Sequence, residues 1–192
     1  MEIRRLHLGS LPAADGHHWP VHGFVVNRSV ADALAELDMS PADISLVINT
    51  HLHFDHCGQN AVFKHAPFYV QRAELDRVRR TSPDHAGWFD FMGARFELLD
   101  GDTEILPGLR VVATPGHTAG HQCVVVQASD GPMDLLIGDA AYTPREYTGP
   151  LDQKLPSGQA ADRPAWEASI GRVRSMTPAR VHFCHHTDVI HS

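Results

Sequence analysis

The chemistry of this chain is concentrated in Asn49-Thr50-His51-Leu52-His53-Phe54-Asp55-His56-Cys57-Gly58, where three imidazoles and a carboxylate fall within six consecutive positions. Packing does not call for that density. Neutral imidazole is a metal ligand near neutral pH, and His-x-His alternation puts both rings on one side of an extended or turning backbone. The cluster directly follows Ile44-Ser45-Leu46-Val47-Ile48, an apolar run that reads as a buried strand. Such a cluster at a strand end is read as a metal site, and 15 histidines are far more than a bland domain of this size needs.

Further ligand-type side chains stand at other strand ends or turns. They are His117 in Thr114-Pro115-Gly116-His117-Thr118-Ala119-Gly120-His121, Asp139 after Ile137-Gly138, and His185 after Phe183-Cys184. Each follows an apolar run, as expected where a scaffold delivers ligands to one edge. With His51, His53, Asp55 and His56 they make seven. Three imidazoles, His51, His53 and His117, suit one ion; Asp55, His56 and His185 suit a second; Asp139 can bridge, since a carboxylate has two oxygens. Paired ions of this kind sit roughly 3.5–4 Å apart and lower the pKa of bound water to about 7. Zinc is the expectation for these N/O donors, with Fe, Co or Mn as alternatives. His186 competes with His185, which aligns better with the strand exit. His121 reads as hydrogen-bonding support, and the other histidines carry no functional signal. Cys57, Cys123 and Cys184 are odd in number and widely spaced, which fits reduced, small buried residues.

The elements that must position these groups follow from periodicity. Ile3 to Leu8 and Val21 to Val26 read as strands around a polar loop, Gly9 to Pro20. Val30, Ala33, Leu34 and Leu37 recur at helical spacing behind a Ser29 cap. Pro67 to Gln71 is a strand and Ala73 to Arg80 a helix, whose charged run Glu74 to Arg80 reads as a solvated face. His85 to Phe96 is a short helix with an aromatic face that serves as core or as a substrate-facing wall. A strand meander is predicted over Phe96 to Leu99, Thr103 to Leu106, Leu109 to Thr114, Gln122 to Gln127 and Asp134 to Ile137. Thr143 to Pro164 is a long Pro- and Gly-rich loop of the lid or binding type. Trp166, Ile170 and Val173 mark a last helix and Arg180 to Phe183 a last strand.

Composition bounds the function. At 192 residues and 43% hydrophobic content, one domain covering residues 1–192 is expected. A formal charge of −7 disfavours nucleic acid, whose binders present a basic face. The amino terminus shows neither a signal peptide nor a span, so no membrane partner and a cytoplasmic location are expected. The apolar segment Phe89 to Met92 suggests a homodimer face.

The pattern His51-x-His53-x-Asp55-His56, with His117, Asp139 and His185, resembles the signature of the metallo-β-lactamase superfamily along most of the chain from Ile44 onward. The resemblance implies an α/β fold, an αβ/βα sandwich of two mixed sheets flanked by helices, with two metals at one edge. Asp139 stands where zinc β-lactamases commonly carry Cys, and His53 where di-iron oxygen-reducing relatives carry Glu. Thioester hydrolases of glutathione carry an added carboxyl-terminal region, whereas this chain ends seven positions after His185. It is most similar to the N-acyl homoserine lactone lactonase group, in Thr50 to His56, Val70-Gln71-Arg72-Ala73-Glu74, Thr114 to Gln122 and Asp139-Ala140-Ala141-Tyr142-Thr143. That implies quorum-quenching hydrolysis of a lactone or ester by a metal-bridging hydroxide, with Asp55 shuttling a proton. Tyr142 would assist at the substrate carbonyl; packing in the core is its other reading.

Two alternatives stand beside this: a phosphodiesterase or other hydrolase on the same metals, and a non-catalytic metal-binding domain. One departure bears on the second. The family usually carries a hairpin with an Asp-x-Gly turn before the first helix, whereas Val25-Val26 here passes through Asn27-Arg28 to Ser29. Either the piece is lost, or two segments are joined there without their connection; the second is expected, since losing a core hairpin would expose strand edges.

Overall fold

Alternation of side chains along the strands decides how the layers stack. In the computed structural model, which describes residues 7–12, 18–22, 29–127 and 131–191, the order begins with β1 (His7–Pro12), β2 (His18–His22), α1 (Val30–Ala35), β3 (Val47–Ile48), α2 (Phe54–Cys57), β4 (Phe68–Gln71) and α3 (Arg72–Thr81). It continues through α4 (Ala86–Phe89), β5 (Phe96–Leu99), β6 (Thr103–Leu106), β7 (Leu109–Ala113), β8 (Gln122–Gln127) and β9 (Met133–Leu136). Helices α5 (Pro144–Thr148) and α6 (Arg163–Ser175) and strands β10 (Arg180–His182) and β11 (Val189–His191) complete it.

Strands β6 to β11 form a six-stranded sheet in the order β11-β10-β9-β8-β7-β6, while β3-β4-β5 form a smaller parallel sheet and β1-β2 a hairpin. Val112, Cys123, Val125 and Leu135 point to one face of the large sheet and pack with Trp166, Ile170 and Val173 of α6. Their neighbours Val111, Val124, Val126 and Leu136 point the other way, against Ile48 and Tyr69 of the small sheet. The far face of the small sheet, through Val70 and Phe68, is covered by Leu75 and Val78 of α3 and by Val30 and Leu34 of α1. The result is an α/β sandwich with helices outside both sheets. Central β8 is buried at five of its six positions, which is why its run Cys-Val-Val-Val has no polar alternation.

Direction matters more to the site than layering. Strands β7 and β8 are antiparallel, as are β8 and β9, while β9 and β10 are parallel. So β7, β9 and β10 all run the same way, and their carboxyl ends open on one edge.

Several expectations are corrected. Phe96 to Leu99 does not start the meander: β5 pairs parallel to β4 in the small sheet, so the chain changes sheet at Asp100-Gly101-Asp102. The loop over Gly9 to Pro20 is in part a hairpin, with Ser10 opposite Pro20 and Leu11 opposite Trp19; backbone pairing there needed no apolar alternation. Between Thr143 and Pro164 the chain forms α5, started by a capping box in which Thr143 and Glu146 cap each other. The terminal strand β11 carries too short a pattern to be foreseen. Phe89 is 1% exposed and belongs to the core, so only Met92 stands out from the proposed dimer face. The strand expected over Ile3 to Leu8 and Val21 to Val26, and the junction at Val26 to Ser29, lie largely outside the described residues. No helix among the described residues is long and apolar enough to cross a membrane.

Candidate metal centre

The change from strand to helix just after β3 spreads the first four donors over two directions. His53 is extended (φ −74°, ψ 157°) and precedes α2, so His51 and His53 leave an extended backbone while Asp55 and His56 lie on the first helical turn. The His56 and Cys57 amides both donate to the His53 carbonyl, at 3.0 and 3.0 Å, which fixes that turn. Asn49 tightens it by donating from Nδ2 to the His56 carbonyl at 3.1 Å.

The loop after β7 brings His117. Gly116 has φ +142°, and a Cβ there would meet the Trp166 backbone at 2.4 Å, so only glycine lets the loop lie on the start of α6. Asp139 follows β9 in a 3-10 turn, and His185 follows β10.

Two nests of donor atoms result. In the first, His51 Nε2, His53 Nδ1 and His117 Nε2 lie 3.0, 3.2 and 3.1 Å from one another. Asp139 Oδ2 is 3.3 Å from His117 Nε2 and 3.7 Å from His51 Nε2. In the second, Asp139 Oδ1 is 3.2 Å from both His56 Nε2 and His185 Nε2. Asp55 Oδ2 completes it, 3.5 Å from His56 Nε2 and 3.6 Å from His185 Nε2. All seven predicted ligands are thus brought together, with Asp139 facing both nests. His186 is directed elsewhere, its Nδ1 3.7 Å from Asp188.

Donor atoms about 2.0–2.1 Å from a tetrahedral ion stand about 3.3 Å apart, close to the spacings of the first nest. His117 Nδ1 faces the Gln159 carbonyl at 3.0 Å, which can only accept, so Nε2 turns a lone pair into the nest. In the second nest His56 Nε2 is buried and makes no well-directed hydrogen bond, although Asp139 Oδ1 lies 3.2 Å away. Both observations fit a cation better than a protein-only network.

Electrostatics separate the nests. Burial, reinforced by neighbouring histidines, holds His51 well below the usual imidazole value and His53 down to about 4. At His56 burial also pulls downward, but Asp139 and Asp55 outweigh it and push the ring up to about 9. Asp139 is held well below the carboxylate range: burial opposes its ionisation, and the facing His56 and His185 overcome that.

The supports were legible to different degrees. His121 is fully buried, accepts from the Asp139 amide at 3.0 Å through Nε2 and turns Nδ1 to Thr114 Oγ1 at 2.8 Å; burial lowers it to about 3. It is support rather than ligand. Glu74, read from sequence as part of a solvated face, is instead 0% exposed. It sits in the first turn of α3, where its carboxylate accepts from the Leu52 amide at 2.9 Å, the Gly120 amide at 3.2 Å and Arg77 at 2.5 Å. A Cβ on Gly120 would come within 2.2 Å of the Glu74 amide nitrogen, so the glycine admits this contact. Gln159, inside the long loop, donates from Nε2 to the Asp139 carbonyl at 2.5 Å; a polar residue in a Pro- and Gly-rich loop gives no sequence signal for that. Cys57 and Cys123 are buried, but Cys184 is only partly so, and its thiol donates to Asp139 Oδ1 at 2.9 Å.

A cleft of about 420 Å³ opens onto the second nest, lined by Asp55, Asp139, Tyr142 and His185 and walled by Phe54 and Trp88. The ring of Tyr142 lies 5.0 Å from that of His185. Burial first, and then the Asp139 charge, raise its phenol above the ordinary value, keeping the hydroxyl protonated. Phe54 and Trp88 are 47% and 38% exposed with ring centroids 5.9 Å apart, and His85 stacks on Trp88 at 4.5 Å.

Comparison with known proteins agrees with this geometry. Residues 12–185 match the family model described as the metallo-beta-lactamase superfamily. An N-acyl homoserine lactonase of Bacillus sp is 33% identical over 118 residues, which is 62% of this chain and 47% of the relative. The N-acyl homoserine lactonase AttM of Rhizobium radiobacter is 34% identical over 139 residues, 66% of this chain and 51% of the relative. The chain therefore spans about half the length of these curated relatives. The structure of an N-acyl homoserine lactone hydrolase with the product N-hexanoyl-L-homoserine bound at its catalytic metal centre superposes with TM-score 0.77 at 21% identity, covering 96% of this chain and 94% of that one.

Proposed function

This chain belongs to the metallo-beta-lactamase superfamily, and from that membership and the paired donor nests we propose that it is a metal-dependent hydrolase that opens N-acyl homoserine lactones or related lactones and esters. The observation that carries the reading is Asp139, whose two oxygens face two separate donor sets at the floor of a cleft. Its likeness to N-acyl homoserine lactonases supports that substrate class, and zinc is the metal we assign. Divalent ions, if held by His51, His53, His117 and Asp139 and by Asp55, His56, His185 and Asp139, would supply Lewis acidity and an activated water at neutral pH.

The chain's own groups do the rest. The protonated Tyr142 hydroxyl lines the cleft and can donate to a carbonyl oxygen as it gains negative charge. Asp55, also at the cleft, is placed to take up the proton released as water adds to the carbonyl and pass it to the departing alkoxide. Phe54 and Trp88 offer an apolar wall for an acyl chain. Quorum quenching is the biological role this chemistry would serve. A net charge of −7 argues against a polyanionic phosphodiester such as RNA.

The test is a proton-release assay on protein reconstituted with two equivalents of zinc, run against acyl homoserine lactones, aryl esters and a bis-aryl phosphodiester. Lactone opening that disappears on chelation and returns with zinc is expected. Activity confined to the phosphodiester would overturn the assignment.

A further inference from the structure

One donor beside the second nest is absent from the seven. Cys184 and His185 are consecutive residues leaving β10, and both reach Asp139 Oδ1, through Sγ at 2.9 Å and Nε2 at 3.2 Å. The sulfur, His56 Nε2, His185 Nε2 and a carboxylate oxygen of Asp139 all lie within 4.8 Å of one another. His56, only 9% exposed, aims its nitrogen into this group, 3.2 Å from Asp139 Oδ1 but without a well-directed hydrogen bond to it. Asp55 Oδ2 closes the group from the cleft side.

We propose that Cys184 is a thiolate ligand of the second ion, which makes that site a mixed nitrogen, oxygen and sulfur site beside an otherwise imidazole-rich one. The spacing suits it: with bonds of about 2.3 Å to sulfur and 2.0–2.1 Å to oxygen, donors near right angles would stand about 3.1 Å apart, close to the 2.9 Å between Cys184 Sγ and Asp139 Oδ1. The thiol proton passes to solvent as the metal–sulfur bond forms. Of the three cysteines only Cys184 joins a donor group; Cys57 and Cys123 are buried elsewhere. A thiolate is soft, so the second site should favour zinc, cobalt and cadmium over manganese, while the first, with three imidazoles and a carboxylate, should discriminate less.

This assignment rests on the two-metal reading of the proposed function but needs no turnover to be tested. Chelator-treated protein is titrated with Co(II) under anaerobic conditions and followed by absorption. A near-ultraviolet thiolate-to-cobalt charge-transfer band should appear with one of the two equivalents, and Cys184→Ser should lose that band while keeping two bound ions. The same substitution should weaken cadmium at one site by at least about tenfold and leave manganese unchanged. Cadmium NMR of the unmodified protein guards against a variant that fails to fold: one resonance should be deshielded by sulfur and the other not. Two bound ions with no sulfur signature would leave the hydrolase reading standing and overturn this one, reducing Cys184 to a hydrogen-bond donor to Asp139. Failure to bind two ions at all would sink both.

Discussion

The two nests share Asp139 and differ in nearly everything else. The first contains imidazoles from the loops after β3 and β7, and it is braced from behind: Glu74 ties Leu52 to Gly120, and the Gln159 carbonyl fixes the His117 ring. The second gathers carboxylates and a thiol with two imidazoles from α2 and the exit of β10, and it lines the cleft. The first is the more heavily braced by buried hydrogen bonds, and the second supplies more of the cleft lining, to which His53 of the first also contributes. Asp139, with one oxygen toward each donor set, is where the two nests meet. Asp139→Ala should erase the comparison altogether. Elemental analysis should show fewer than two tightly held ions, and lactone turnover should fall by more than about a thousandfold. Two ions still tightly bound would mean the nests are independent.

Glu74→Gln should strike the first nest selectively. The amide keeps one acceptor oxygen, but its NH2 must face a backbone N–H, and Arg77 loses its charge partner. Because the carboxylate is wholly buried and Arg77 partly exposed, a loss of roughly 2–4 kcal/mol in urea unfolding is expected. Chelator competition should show one ion weakened about 10–100-fold and the other much less. Equal weakening of both ions would make Glu74 a support of the whole edge rather than of one half.

The contrast also explains what could be read in advance. Donor-type side chains announce themselves by residue type at strand exits, so the residues from His51 to His185 that converge here could be picked out without knowing which strands pair. Braces do not. Glu74 in a charged helical run looks like any solvated glutamate until α3 is packed against Leu52 and Gly120, and Gln159 lies in a loop with no periodicity. Strand partners are equally nonlocal: Phe96 to Leu99 and Thr103 to Leu106 carry similar patterns, yet they join different sheets. Cys184 had one signal, its place beside His185, and a small apolar-like residue at a strand end is ordinarily core.

Tyr142→Phe probes the open half without touching a donor. The ring still packs against His185, so metal content and stability should hold, while kcat for a lactone falls about tenfold through loss of one hydroxyl donor. An unchanged kcat with unchanged metal content would leave the residue a packing group.

The smallest effect is expected at Gln159, and it separates the two ways this loop supports the first nest. Its side chain donates to the Asp139 carbonyl, but its Oε1 is buried without a partner, so truncation removes one good hydrogen bond and one unsatisfied acceptor together. Those terms oppose each other, and Gln159→Ala should cost only about 1 kcal/mol in urea unfolding. The group that orients His117 is the Gln159 backbone carbonyl, which the substitution leaves in place. Affinity for the first ion, measured by chelator competition, should therefore stay within about threefold of the parent protein. A larger drop confined to that ion would show that the side chain, by seating the loop, governs where the carbonyl sits, and that the first nest is braced by the loop as much as by Glu74.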